Sequence, residues 1–252
     1  ADGADWIGLY PAGAPDDTAF RVRWYYTSGA VSGSLSFVVL PSDTPGSYQF
    51  RLFAANGLTR LATSVPVTIT VPSVTVTTAL ASLAADNYLT VSWSGANTPT
   101  GSDWIGIYPA AAPDGTANRV TWVYTNGATS GSVVETILPN APPGAYEARM
   151  FYANGLVRLG TSTPFTVTAP AVSVRVAPTT FGPGATVSVT WTGHVFADGA
   201  DWIGLYPAGA PDDTAHRISW RYTNGLPSAT LSFNVPAGAP PPPYELRLYW
   251  LN

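Results

Sequence analysis

Hydrophobic and polar positions alternate in short runs, and the runs are separated by turn residues. Ser73–Thr78 (SVTVTT) and Tyr88–Trp93 (YLTVSW) place apolar residues at every second position, the period of a half-buried β-strand. Asp103–Tyr108 (DWIGIY), Arg119–Thr125 (RVTWVYT), Ser132–Leu138 (SVVETIL) and Gly144–Tyr152 (GAYEARMFY) follow. A last strand is split between Val157–Gly160 and Pro164–Thr168 (PFTVT). Pro113-Asp114-Gly115, Asn126-Gly127, Pro139 and Asn154-Gly155 mark the turns. No run carries a helical apolar period of useful length. The pattern predicts an all-β chain whose unit is a seven-stranded Greek-key sandwich of immunoglobulin-like or fibronectin-III-like type.

The pattern is written about two and a half times. Trp6, Trp104 and Trp202 stand 98 residues apart (104−6 and 202−104), as do Trp24, Trp122 and Trp220, and Tyr48, Tyr146 and Tyr244. Loop insertions cost little, so copies that have not slipped mark one repeated module. The expected boundaries are 1–72 for a module lacking its first two strands, 73–170 for a complete module, and 171–252 for one lacking its last strand. Thr70-Val71-Pro72 and Thr168-Ala169-Pro170 join them directly, and proline restricts each hinge. Stiff joints of one kind predict one constant rotation per unit. Ala1–Ala19 is identical to Ala197–Ala215, so the ends fall inside modules. The chain is therefore expected to be a window on a longer array. Alternatively, partial modules of neighbouring molecules complete one another by strand addition.

Composition narrows the setting. Charged residues are only 10% of the chain, against about 25% in typical soluble domains. All 11 basic residues are Arg, and the net charge of −4 excludes the basic stripe that nucleic acid requires. There is no Cys and no apolar run of membrane-spanning length, so no membrane insertion is expected. A surface rich in Ser, Thr, Gly and Ala suits an extracellular or cell-surface location.

Several repeated residues are candidates for function. In the D-W-I-G box (Asp5-Trp6, Asp103-Trp104, Asp201-Trp202), Trp104, Gly106 and Tyr108 share one strand face while Ile105 and Ile107 share the other. Both faces are apolar, so this strand is expected to be covered on both sides, with Asp103 capping a turn or pairing with an Arg. Tyr48, Tyr146 and Tyr244 each follow a proline corner, the setting of a tyrosine corner. Arg51, Arg149 and Arg247, with Phe151 and Tyr249, alternate outward from the core residues of a late strand. They are possible binding residues for sugar or a partner module, or ordinary cross-strand pairs. Asp16, Asp17, Asp212 and Asp213 are weak Ca²⁺ candidates, because the middle copy has Asp114-Gly115 and no D-x-D-x-D-G loop exists. No metal or cofactor is expected. Nor is catalysis: His194 and His216 are the only histidines, neither recurs in the other copies, and no nucleophile or phosphate-binding motif occurs.

The succession DWIGIY, RVTWVY, PPGAYEAR and TSTPFTV resembles the SKICH domain pattern and is similar to Ig-like modules appended to secreted hydrolases and surface proteins. The resemblance implies a β-sandwich and, from SKICH domains, a targeting role. The reading as a whole predicts a structural segment of an extracellular stalk, filament or surface coat, whose partners are neighbouring copies of the same module or protein. The alternatives are a carbohydrate- or protein-binding adhesion module acting by avidity, with glycans or other surface proteins as partners, and an accessory region of a secreted hydrolase.

Overall fold

Period-two alternation gives strands throughout. The computed structural model describes residues 3–251, and among them it holds twenty strands and one 3₁₀ turn at Thr18–Phe20. The first copy of the repeat contributes β1 (Trp6–Pro11), β2 (Arg23–Tyr26), β3 (Gly46–Phe53), β4 (Arg60–Thr63) and β5 (Val67–Ile69). They form one sheet in the order β2-β1-β3-β4, with β5 also paired to β3.

The middle copy holds β6 (Thr75–Thr78), β7 (Ser82–Ala84), β8 (Asn87–Ser94), β9 (Trp104–Pro109), β10 (Thr121–Tyr124), β11 (Gly131–Ile137), β12 (Gly144–Tyr152), β13 (Val157–Thr161) and β14 (Phe165–Thr168). It has two sheets, β6-β8-β11 and β10-β9-β12-β14-β7, with β13 on β12. Two sheets facing each other across a shared core make this copy a β-sandwich. Strand β7 was not among the predicted strands. Three residues are too few for a periodicity, and its parallel partner β14 lies far along the chain. The third copy holds β15 (Ser173–Ala177), β16 (Thr186–Thr192), β17 (Trp202–Pro207), β18 (Ser219–Tyr222), β19 (Ala229–Asn234) and β20 (Tyr244–Tyr249), in sheets β15-β16-β19 and β18-β17-β20.

One alternating run forms no strand. Ser34–Val39 has the pattern of β11, whose partner in the middle copy is β8. No counterpart of β8 lies among the described residues of the first copy, and Val38 and Val39 remain exposed.

The core of the middle copy sits between its sheets, with Leu89, Val91, Trp93, Ile105, Ile107, Ile137 and Met150 buried together. In the third copy Val187, Val189, Trp191, Ile203, Leu205 and Phe233 do the same. Each such side chain contributes about 1.5–3 kcal/mol through removal from water. Trp93 and Trp191 fill the inter-sheet space, and their indole N–H groups donate to the carbonyls of Ala128 (3.1 Å) and Leu226 (2.8 Å). The hydroxyls of Tyr48 and Tyr146 donate four residues back, to the carbonyls of Thr44 and Pro142 (both 2.7 Å), and that of Tyr244 reaches Pro240.

One inward position breaks the apolar rule. Glu135 stands one repeat from Phe37 and Phe233, since 135−98 is 37 and 135+98 is 233. It is 2% exposed. Its Oε2 accepts from Thr121 Oγ1 at 2.9 Å, while Oε1 has no partner among the described residues. Burial pushes this carboxyl up to about 7.

Candidate functional site: an outer aromatic layer and a bridged junction

The D-W-I-G box places two layers on one strand. Ile105 and Ile107 face the core, and Trp104 and Tyr108 face outward, yet all four are buried. In register, Trp104 lies between Tyr124 of β10 and Phe151 of β12, and Gly106 lies between Trp122 and Arg149. The Trp104 ring stacks on Phe151 with centroids 4.4 Å apart, and Tyr108 tilts against the same ring at 5.8 Å. Both rings close over Gly106, where a Cβ would stand 2.8 Å from Trp104 and 3.0 Å from Tyr108. Gly8 and Gly204 occupy the same crevice in the other copies. The glycine is a packing requirement of the second layer.

The box aspartates act as loop clamps. The Asp103 carboxylate accepts from the backbone N–H of Thr100 (3.0 Å), the Thr100 hydroxyl (2.6 Å) and the N–H of Ala153 (2.9 Å). It ties the loop before β9 to the β12–β13 hairpin. Asp5 accepts from Ala55 N–H (2.9 Å), and Asp201 accepts from Asp198 N–H (2.6 Å) and Leu251 N–H (2.9 Å). The expected turn cap is what the geometry holds at Asp103 and Asp201; neither forms an ion pair with an Arg among the described residues.

The outward arginines of the late strand do not lie on an open face, which corrects the picture of an exposed binding surface. Arg51, Arg149 and Phe151 are buried. Arg149 pairs with Asp114 (2.8 Å) and Glu147 (2.7 Å), and its guanidinium lies 4.6 Å over the Tyr108 ring. Arg51 pairs with Asp16 (2.7 Å) over Tyr10, and Arg247 pairs with Asp212 and Glu245 over Tyr206. The Tyr249 hydroxyl also donates to Asp212, and hydrogen bonds from Tyr249 and Arg247 hold this carboxyl below its usual range. The loop from β9 to β10 and its equivalents thus supply the counter-charges. Asp16 and Asp212 serve as these partners, while Asp17 caps the 3₁₀ turn through Ala19 N–H and Asp213 accepts from His216. Among the described residues no group of three or more His, Asp or Glu converges as a metal site.

A different arginine is left free. Arg119 is half-buried, with its guanidinium 4.4 Å over Trp122 and 5.1 Å over Trp104. Arg21 and Arg217 repeat the arrangement on Trp24 with Trp6 and on Trp220 with Trp202. None of the three has a carboxylate partner among the described residues. Their 98-residue recurrence is visible in the sequence, but nothing in it distinguishes them from the neutralised arginines.

The junction between the middle and third copies holds a second feature unmarked in the sequence. Asp86 sits in the turn between β7 and β8 with φ of 63°, and His194 in the loop after β16; both are 2% exposed. His194 Nδ1 lies 2.8 Å from Asp86 Oδ2, and Nε2 lies 2.8 Å from Asp201 Oδ2. Asp86 also accepts from Val195 N–H (2.8 Å) and Phe196 N–H (2.9 Å), and Tyr88 meets Phe196 edge to face at 4.8 Å. The equivalent of His194 in the middle copy is Ala96. A cleft lies at both junctions, of about 420 Å³ lined by Val39, Ile69, Val74, Ala96 and Leu159 at the first and about 470 Å³ lined by Pro139, Pro170, Val172, His194 and Leu248 at the second. The two junctions share this cleft and differ at one position in it, Ala96 in the first and His194 in the second.

Strand order and site together define an all-β chain of sandwich modules with a doubly packed central strand. No protein-family model matches the chain, and no curated protein sequence matches it. Similar solved structures include a purple acid phosphatase from yellow lupin seeds (17% identity, TM-score 0.29), covering 55% of this chain. The chain spans 29% of that phosphatase. The FN1–FN3 domains of chicken CNTN1 match at 17% identity and TM-score 0.22, with 80% of this chain and 75% of that one covered. The teleost fish polymeric Ig receptor ectodomain matches at 12% identity and TM-score 0.26, with 60% and 74% covered. No helix among the described residues is long and apolar enough to cross a membrane.

Proposed function

We propose that the chain is a non-catalytic structural segment of an extracellular or cell-surface array, forming part of a stalk, filament or coat. The observation that carries this reading is the buried Asp86–His194–Asp201 bridge. One carboxylate of the middle copy takes three hydrogen bonds from the loop of the third, so side chains with catalytic capacity are spent on joining modules. The short proline-containing joints support the same reading, as does the low charge for a surface setting. Neighbouring copies of the module are its first partners. Electron microscopy of the protein in its native assembly is the test. Rods with an axial repeat of roughly 30–45 Å per module, from strand length plus loops, are expected; isolated compact particles would overturn the reading.

A further inference from the structure

The free arginines mark a site that the structural role leaves unused. The sequence supplies carboxylates wherever a guanidinium is to be neutralised, as at Arg51, Arg149 and Arg247. Among the described residues Arg21, Arg119 and Arg217 have none, although each guanidinium carbon lies 4.4–5.2 Å from the centroids of two indoles. Indole faces hold a planar guanidinium by cation–π attraction and leave its in-plane N–H groups free. Beside it, the indole N–H of Trp122 has no acceptor among the described residues, whereas that of buried Trp104 donates to Gly155 O. Next along the same face, Tyr124 meets Trp122 edge to face at 4.8 Å and donates to Asn154 Oδ1 at 2.9 Å. That bond occupies the amide oxygen and leaves the exposed Asn154 NH₂ group as a donor. The run Arg119–Trp122–Tyr124–Asn154 therefore offers unspent donors and one positive charge beside two exposed aromatic rings. Arg21–Trp24–Tyr26–Asn56 repeats it, with the Tyr26 hydroxyl 2.7 Å from Asn56 Oδ1, and Arg217–Trp220–Tyr222 repeats its first three members.

We propose that each of these runs is a binding site for a carboxylated saccharide, and that the tandem copies together hold a polyuronate-type chain. A carboxylate matches the free guanidinium edge, giving a charge-assisted pair. The apolar C–H faces of a pyranose ring match the exposed Trp and Tyr rings. The third argument is repetition. Near-identical sites at a constant sequence interval suit a ligand that is itself a repeat, and linked sites multiply affinity without new contacts.

Calorimetric titration of the intact chain with galacturonic acid oligomers tests the proposal, with the methyl-esterified oligomer and an oligoglutamate of equal length as controls. The acid oligomer is expected to bind and the ester to bind at least tenfold more weakly. R21Q/R119Q/R217Q is expected to lose at least tenfold in affinity. R175Q/R221Q, which removes two exposed arginines without paired indoles, is expected to leave affinity unchanged. R119K keeps the charge and loses the planar stack, and alone is expected to weaken binding severalfold. Unchanged circular dichroism and melting temperature in each variant separate lost binding from lost folding; W122L is a second probe should the triple variant unfold. Equal losses in both arginine sets, equal binding of oligoglutamate or ester, or no binding of the acid oligomer would each overturn the proposal.

Discussion

At one core position the middle module holds Glu135 where the third holds Phe233, and at one loop position the third holds His194 where the middle holds Ala96. On the outer face the middle module has Phe151 where the third has Tyr249. The strands that carry or flank these positions are common to both, so the differences isolate what side-chain chemistry adds to one frame. Glu135 brings a carboxyl into an apolar core with one hydrogen bond, which costs stability. His194 brings an imidazole ring between two carboxylates that are otherwise held by backbone N–H groups, which couples two modules. A buried polar group is a burden in the first place and a joint in the second, and the number of partners waiting for it decides which.

The comparison breaks most sharply at the joint. His194→Ala leaves Asp86 and Asp201 buried without their shared partner, and the expected loss is on the order of 3–5 kcal/mol. Hydrogen exchange of the Val195 and Phe196 amides should rise strongly while exchange within β9 and β12 stays slow. Protection unchanged at those two amides would show that the bridge does not hold the junction.

Next in size is Glu135. Its carboxyl is raised from 4.5 to about 7 in the fold, so the folded state binds the proton more tightly than the unfolded chain does. Its contribution is therefore favourable at low pH and is lost as pH climbs from about 4.5 to about 7, by about 3 kcal/mol in all. Glu135→Gln keeps a partner for Thr121 and removes the titration. Urea unfolding of the variant at pH 8 should show a gain approaching that value, and near pH 4 almost none. A gain of equal size at both pH values would mean that the carboxyl does not titrate in this window.

Third is the crevice shared by all modules. Gly106→Ala drives a methyl group into the Trp104 and Tyr108 rings, at an expected cost of about 1–3 kcal/mol. Gly204→Ala should cost a similar amount, since its Cβ would meet both rings at 2.7 Å. A neutral result at either position, measured by thermal unfolding, would mean that the outer layer yields freely. The smallest effect is expected from Phe151→Tyr, which carries a feature of the third module into the second. The Tyr10 and Tyr108 hydroxyls lack a partner among the described residues, whereas burial and a hydrogen bond to Asp212 raise the Tyr249 hydroxyl well above its usual value. A tyrosine at position 151 stands within reach of Asp114 by the same geometry, for a gain of about 0.5–1.5 kcal/mol. A loss would show that Arg158, already paired with Asp114, leaves no room.

Much of the frame was legible in the sequence. Trp104, Gly106 and Tyr108 on one face and Ile105 and Ile107 on the other announced a strand covered on both sides, because alternation fixes which side chains share a face. The tyrosines after their proline corners were legible for the same local reason. Strand β7 was not, since three residues carry no period. Among the arginines, the pattern pointed to Arg149 and passed over Arg119, although both recur at the same interval.

By itself, then, the sequence determined the all-β class, the repeated unit and the two-sided burial of the box strand. All three follow from spacings of two residues or of 98, which any chain of this pattern must obey. Only the tertiary structure decided which charges are spent and which are free. Arg149 meets Asp114 across 35 residues, and His194 meets Asp86 across 108. Whether an ionic group is neutralised depends on contacts of a few ångströms between segments that far apart, and local spacing carries no record of such contacts.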